Sequence, residues 1–191
     1  MKHYLTLAQY RSLGKKTRSI LLAATAQRLA LEYENFVRRE LHGSVGNYLH
    51  TLDVLWRHHL GSVASDETLD QLYQRFTYYS DAADALRAEA SCDGRSASVA
   101  LYDAIMSCAE HFKSNWKGVH LEHSYGSGLF DFLPEAVMDE ILGSQPWTNE
   151  RIDRVRALSR QSASPIDWVE YSNLRKIRFE RFQREVTSID G

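Results

Sequence analysis

The sequence predicts an all-α fold of seven to nine helices packed on a central long helical hairpin, about residues 15–60. Three observations lead there. Apolar residues recur at helical spacing, as in Leu22, Leu29, Tyr33 and Phe36, which lie seven, four and three apart. The three prolines, Pro134, Pro146 and Pro165, all fall in the last third, leaving long uninterrupted stretches before them. No segment reads convincingly as a strand, and no internal repeat or low-complexity tract stands out.

Taken in order, Thr6 is a good cap for a short helix over 6–13 that ends at Gly14. A long helix follows from about Lys15 to Glu40. Gly43 and Gly46 mark a break, and Ser44 to Leu60 forms the second arm, closed by Gly61. Leu49, Leu52, Trp56 and Leu60 are its expected buried stripe. Ser65 caps the next helix, with Asp66 and Glu67 placed to offset the helix dipole. Its apolar face is Leu69, Leu72, Tyr73, Phe76 and Tyr79. Small residues then dominate 81–90, read as a separate helix or a bent continuation.

Cys92-Asp93-Gly94 reads as a turn. Ser96 then caps a helix to about Lys117, burying Tyr102, Ile105, Ala109, Phe112 and Trp116. Gly118 to Leu133 breaks the pattern and reads as an unusually long loop. Pro134 suits a first helical position, followed by Val137, Met138, Ile141, Leu142 and a stop at Gly143. Thr148 caps a helix that buries Ile152, Val155 and Leu158. Ser164-Pro165 opens the last helix, in which Trp168, Tyr171, Leu174 and Arg178 share a face. The expected organisation is one helical domain over 1–191, with 134–191 either part of it or a C-terminal helical extension.

A chain of 191 residues, 43% hydrophobic and 25% charged, buries a real core without disulfides or a structural metal. Its two cysteines, Cys92 and Cys108, together with the lack of an apolar leader, point to the reducing cytoplasm. No run reaches the roughly 18 apolar residues that span a bilayer. The net charge of −2 hides a segregation. Residues 66–140 hold 14 acids and 5 bases, a net of −9, whereas 1–65 carry +5 and 141–191 carry +2. An acidic middle third is a docking surface for a basic partner or, more blandly, a solvated face balanced by neighbours.

Ala23-Ala24, Arg28-Leu29, Tyr33 and Phe36, then Leu52-Asp53 and Leu55-Trp56, resemble the opening of the YjaG-like family of bacterial helical proteins. Asp81-Ala82-Ala83-Asp84-Ala85 is similar to that family's small-residue helix. The resemblance covers roughly residues 10–117 and consists of packing residues. It implies a helical fold and transfers no activity and no catalytic residues.

Several constellations bear on chemistry. His120, Glu122 and His123 are the nearest thing to a metal site, beside a glycine-containing loop. Their spacing is not the helical HExxH pattern, so no metal is assigned. His50, Trp56, His58 and His59 group an indole with imidazoles on one helix, most simply as boundary residues. Ser124-Tyr125-Gly126-Ser127-Gly128 lacks the Gly-Lys-Ser/Thr of a phosphate loop. Tyr125, Phe130 and Phe132 either present aromatics to a partner or plug the core. Cys108 and His111 lie three apart on a helix, but nothing lowers the thiol pKa and Glu110 opposes it. The last helix carries Arg175, Lys176, Arg178, Arg181 and Arg184, diluted by Glu180 and Glu185 at i,i+4 spacing.

These patterns lead to a non-enzymatic cytoplasmic protein-binding protein, of the immunity or antitoxin type, that masks a basic effector or toxin domain. The expected contact residues are Asp66, Glu67, Asp70, Asp81 and Asp84, with Tyr78 and Tyr79 as anchors. No catalytic residue or cofactor is expected, and neither nucleic acid nor membrane is the expected partner. The alternatives are a metal-assisted hydrolase using the 120–125 loop and a nucleic-acid-associated regulator using the C-terminal basic helix.

Overall fold

The computed structural model describes residues 5–40, 43–62, 71, 72, 74, 92–112 and 129–189. Among these the protein is all-helical, with no strand. The helices are α1 (Leu7–Ser12), α2 (Lys15–Arg28), α3 (Ala30–Glu40), α4 (Val45–Leu60) and α5 (Cys92–Phe112). A single 3₁₀ turn, Leu129–Phe132, leads into α6 (Glu135–Leu142), α7 (Asn149–Gln161) and α8 (Trp168–Ile189). No helix among the described residues is long and apolar enough to cross a membrane.

Helix ends follow the cap residues. Thr6 and Gln9 form a reciprocal capping box: Gln9 N donates to Thr6 Oγ1 at 3.1 Å and Thr6 N to Gln9 Oε1 at 2.8 Å. Ser44 caps α4 through Asn47 N, and Thr148 caps α7 through Arg151 N. Gly61 closes α4 at φ +73°, where its own N–H and that of Ser62 satisfy carbonyls of the last turn.

The fold is organised around α2. Every residue of α2 from Arg18 to Arg28 is buried, as in a helix surrounded on all sides. Its Leu22 and Ala26 join a core with Tyr33, Phe36, Tyr48, Leu52, Leu55, Leu101 and Ile105. Ile20, Leu21, Ala23 and Ala24 join a second core with Tyr10, Trp56, Phe130, Met138, Ile141 and Ile152. The broadest packing is between α2 and α5. There Ala97, Ala100, Ala104, Ser107, Cys108 and Ala109 of α5 are buried, and small side chains let two backbones approach closely. Two hydroxyl and indole contacts tie α4 to α2: Tyr48 OH donates to Ala26 O at 2.8 Å and Trp56 Nε1 to Gln27 Oε1 at 3.2 Å. Tyr48 also stacks on Tyr33, with ring centroids 4.4 Å apart.

Residues 134–161 pack on this core through Val137, Met138, Ile141, Ile152 and Val155. A buried guanidinium fixes their turn. Arg151 donates to the carbonyl oxygens of Glu140, Gly143 and Gln145 and lies 4.2 Å over the Trp147 ring. It thereby supplies the donors that the end of α6 lacks. The far end of α8 is tied to α1, where Glu185 Oε2 accepts from Leu7 N at 3.0 Å. Arg181 holds the other oxygen of Glu185 at 2.9 Å, so this base of the C-terminal stretch serves the fold.

Several expectations are corrected. The helix expected from Lys15 to Glu40 is two helices, divided at Leu29 (φ −87°, ψ 0°). The bonds from Leu29 N to Thr25 O and from Tyr33 N to Leu29 O persist across the break. A one-residue kink thus leaves the apolar spacing intact and invisible to periodicity. The element buried on all sides is α2, and a central hairpin of two long arms is not confirmed. Of the expected stripe of α4, Leu52 and Trp56 are buried but Leu49 is 46% exposed; Tyr48, Leu55 and His59 are buried as well. Phe112, expected inside, is 43% exposed. Cys92 to Gly94 is the first turn of α5 and not a separate turn, since glycine is least costly at a helix end. The last helix starts at Trp168, where Asp167 Oδ1 accepts from Val169 N and Glu170 N; Ser164-Pro165 lies before it. The side chains of Trp168, Tyr171, Leu174 and Arg178 lie outside the described set.

Candidate functional site

The residues singled out for partner contact, Asp66, Glu67, Asp70, Tyr78, Tyr79, Asp81 and Asp84, lie outside the described residues. So do His120, Glu122, His123 and Tyr125. Two other groupings are described: an imidazole cluster at the ends of α4 and α5, and a pocket where α2, the 3₁₀ turn and the start of α8 meet.

The imidazole cluster joins residues far apart in sequence. Packing of α4 on α5 stacks His59 on His111 with centroids 6.2 Å apart and sets both against Phe112, at 5.7 and 4.4 Å. His58 also meets Phe112, and Trp56 meets His59 edge-on at 6.3 Å. His50, grouped with these residues by sequence, is exposed. The sequence groups His111 with Cys108 and Phe112 with the core, but not with His58 and His59, because nothing in one sequence reports which helix ends meet. Across the α2 interface, His59 Nε2 lies 3.0 Å from Ser19 Oγ, and Ser19 also hydrogen-bonds Cys108. Glu110 sits 3.7 Å from Arg18 and 3.8 Å from Lys15, balancing the basic first turn of α2.

Histidine, serine and cysteine side by side invite a nucleophile reading, and the electrostatics decide against it. Burial, with His111, Lys16 and His58 adding to it, pushes His59 down to about 3. A general base works best near the operating pH, and a pKa of 3 makes His59 roughly ten-thousandfold too weak at pH 7. Burial pushes the Cys108 thiol up to about 12, partly offset by Ser19. His111 is likewise held below its usual range by burial and by Lys16 and Lys15. Ser19 and Cys108 are fully buried. The cluster is a packed polar seam held in its neutral forms. Among the described residues, no group of three or more His, Cys, Asp or Glu side chains is placed to hold a metal.

The pocket has a volume of about 340 Å³. Its back wall is fixed by two charged side chains that flank the Leu29 break. Arg28 donates from Nη1 to Ser164 O at 2.9 Å and from Nη2 to Ser164 Oγ at 3.1 Å. Glu32 accepts from Ile166 N at 2.9 Å. Both are buried, at 7% and 4% exposure. Burial lowers the Arg28 pKa, and the neighbouring Glu32 carboxylate pulls it back up. Phe132, Leu133, Pro134 and Pro165 make the lining apolar, while Asp131, Asp167 and Glu170 add carboxylates. Phe130, in the same 3₁₀ turn, plugs the core and stacks on Tyr10 at 5.6 Å.

No family model, curated protein or solved structure matches the chain. Nothing in these comparisons bears on the resemblance to the YjaG-like family; of the residues on which it was read, Ala23, Ala24, Arg28, Leu29, Tyr33, Phe36, Leu52, Leu55 and Trp56 are buried, Asp53 is half-buried, and 81–85 lie outside the described residues.

Proposed function

We propose that this chain is a non-enzymatic protein-binding protein of the immunity or antitoxin type, one that masks a basic effector domain. The observation that carries the reading is the segregation of charge: residues 66–140 hold a net of −9 between flanks of +5 and +2. An acidic surface on a packed helical scaffold steers a basic partner onto it, and buried aromatic anchors then hold the partner. Asp66, Glu67, Asp70, Asp81 and Asp84 are the proposed steering residues, with Tyr78 and Tyr79 as anchors. The described Ser19–His59–Cys108 seam supports the reading from the other side, because its protonation states are unsuited to catalysis. The proposed setting is the cytoplasm.

The test is an affinity pull-down of tagged protein from its native lysate at low and moderate salt, read by mass spectrometry. A stoichiometric basic protein is expected. Its capture should weaken with salt and vanish when Asp66, Glu67 and Asp70 are all reversed to lysine. Capture that ignores both salt and the reversal would overturn the reading, as would nucleic acid or metal in place of a protein.

A further inference from the structure

We propose that the seam where the last turns of α4 and α5 meet the start of α2 is an acid-sensitive latch: proton uptake at His59 parts these helix ends and uncovers Cys108 while the rest of the fold stays closed. This device does not depend on the masking reading. Its basis is how His59 is enclosed. The side chain is 4% exposed and has one partner for its two ring nitrogens. Nε2 lies 3.0 Å from Ser19 Oγ, and Nδ1 meets no hydrogen-bonding group among the described residues. A neutral imidazole has one donor and one acceptor, whereas an imidazolium has N–H on both nitrogens. Protonation therefore leaves a charged donor buried and unpaired, which is far costlier than a neutral orphan.

The neighbours of the ring add to that cost. Lys16 faces it from α2, His58 from α4 and His111 from α5, the last stacked on it at 6.2 Å. Lys15 and Lys16 face His111 in turn. All of these groups are basic. The carboxylate that α5 brings to this end, Glu110, is taken by Arg18 at 3.7 Å and Lys15 at 3.8 Å. On α4, Asp53 is taken by Arg57 and by Arg156 of α7. A cation formed at His59 is thus repelled by its neighbours, and reaching water relieves it. The seam is also placed to open locally. His59 is one residue from the end of α4, and His111 and Phe112 are the last two residues of α5, with Phe112 43% exposed. Helix ends part through smaller fluctuations than the core does. Behind them stands Cys108, fully buried and hydrogen-bonded to the same Ser19 that meets His59. Cys108 is the thiol that a parted seam presents to solvent.

The experiment labels Cys108 in the full chain with a low concentration of a dipyridyl disulfide, which accepts thiols in acid as well as at neutrality. The rate, read on the Cys108 peptide by mass spectrometry, is divided by the rate for the chain unfolded in urea, which removes the thiol's own pH dependence. Between about pH 7 and about pH 5 this ratio should rise roughly 25-fold, because His59 titrates at its ordinary 6.5 when open and at about 3 when closed. His59→Gln should hold the rise within roughly threefold. His111→Gln, at a less buried ring, should keep at least roughly tenfold of it, and it tests the assignment should His59→Gln not fold. The ratio should be nearly the same in the absence of urea and in about 1 M urea, because parting helix ends exposes little surface. A ratio that climbs with urea along the slope of global unfolding would overturn the proposal, since Cys108 would then be reached only when the whole chain unfolds. A pH response below roughly threefold in wild type, a full response in His59→Gln, or loss of the response in His111→Gln would overturn it too.

Discussion

Replacing His59 with glutamine isolates the contribution of one buried imidazole to stability against acid. In the folded chain His59 titrates at about 3, against an ordinary 6.5. As pH falls below 6.5 the unfolded chain takes up the proton first, so the unfolded state binds more protons and stability falls with pH. The contribution is fully present above about pH 6.5 and is lost progressively down to about pH 3. Within that window each pH unit costs about 1.4 kcal/mol, so moving from pH 6.5 to pH 5 removes about 2 kcal/mol. That is a sizeable share of the roughly 5–15 kcal/mol that holds a domain folded. The assay is urea unfolding of wild type and His59→Gln at about pH 7 and about pH 5. Carboxylates and His111 titrate in both proteins and cancel in the difference of differences. Wild type should lose about 2 kcal/mol more than the variant over this interval. Equal losses, within about 0.5 kcal/mol, would refute the argument that His59 is held neutral by burial.

Three further outcomes follow from the structure. Arg151→Met should destabilise by about 2–4 kcal/mol, because the carbonyls of Glu140, Gly143 and Gln145 lose their buried donor; a urea midpoint within error of wild type would contradict this. Two glycine substitutions should differ in sign by the same measurement. Gly61→Ala forces a Cβ into φ +73° at a cost of about 1 kcal/mol. Gly14→Ser meets open space at φ −61° and adds the side-chain cap that α2 lacks, gaining a few tenths of a kcal/mol. In native buffer at neutral pH, Cys108 should resist iodoacetamide, since a thiol at about 12 leaves a thiolate fraction on the order of 10⁻⁵. Rapid native modification of the Cys108 peptide, read by mass spectrometry, would show that α5 does not seal it.

Local chemistry made much of the fold legible. Thr6, Ser44, Gly61 and Thr148 end helices where their side chains or backbone freedom dictate. Leu22, Leu29, Tyr33 and Phe36 are buried as their spacing implies. What escaped the sequence was relational. The kink at Leu29 preserves helical spacing. Tyr48 outcompetes Leu49 for the interior because its hydroxyl finds Ala26 O and its ring finds Tyr33. The candidate sites were less legible still. Nothing in the spacing singled out Arg28 or Glu32 as a pair, yet they meet a segment more than 130 residues away. His111 and Phe112 join His58 and His59 only because α4 and α5 end side by side. Periodicity reports which face of a helix is apolar, and not which partner covers it.

The burial of α2 on all sides carries a consequence for how the molecule opens. Ile20, Leu21 and Leu22 are consecutive, yet the first two serve one cluster and the third serves the other. Neither cluster can come apart without uncovering part of the helix that the other is built on. The amides of α2 are therefore reached by solvent only through openings that dismantle both clusters, so their hydrogen exchange should be as slow as global unfolding allows. Those at the exposed end of α1, at Arg11 and Ser12, or along the solvent side of α8 should exchange through far smaller fluctuations. In that sense α2 sets the cooperative unit of the protein: it is the element whose exposure is equivalent to loss of the fold.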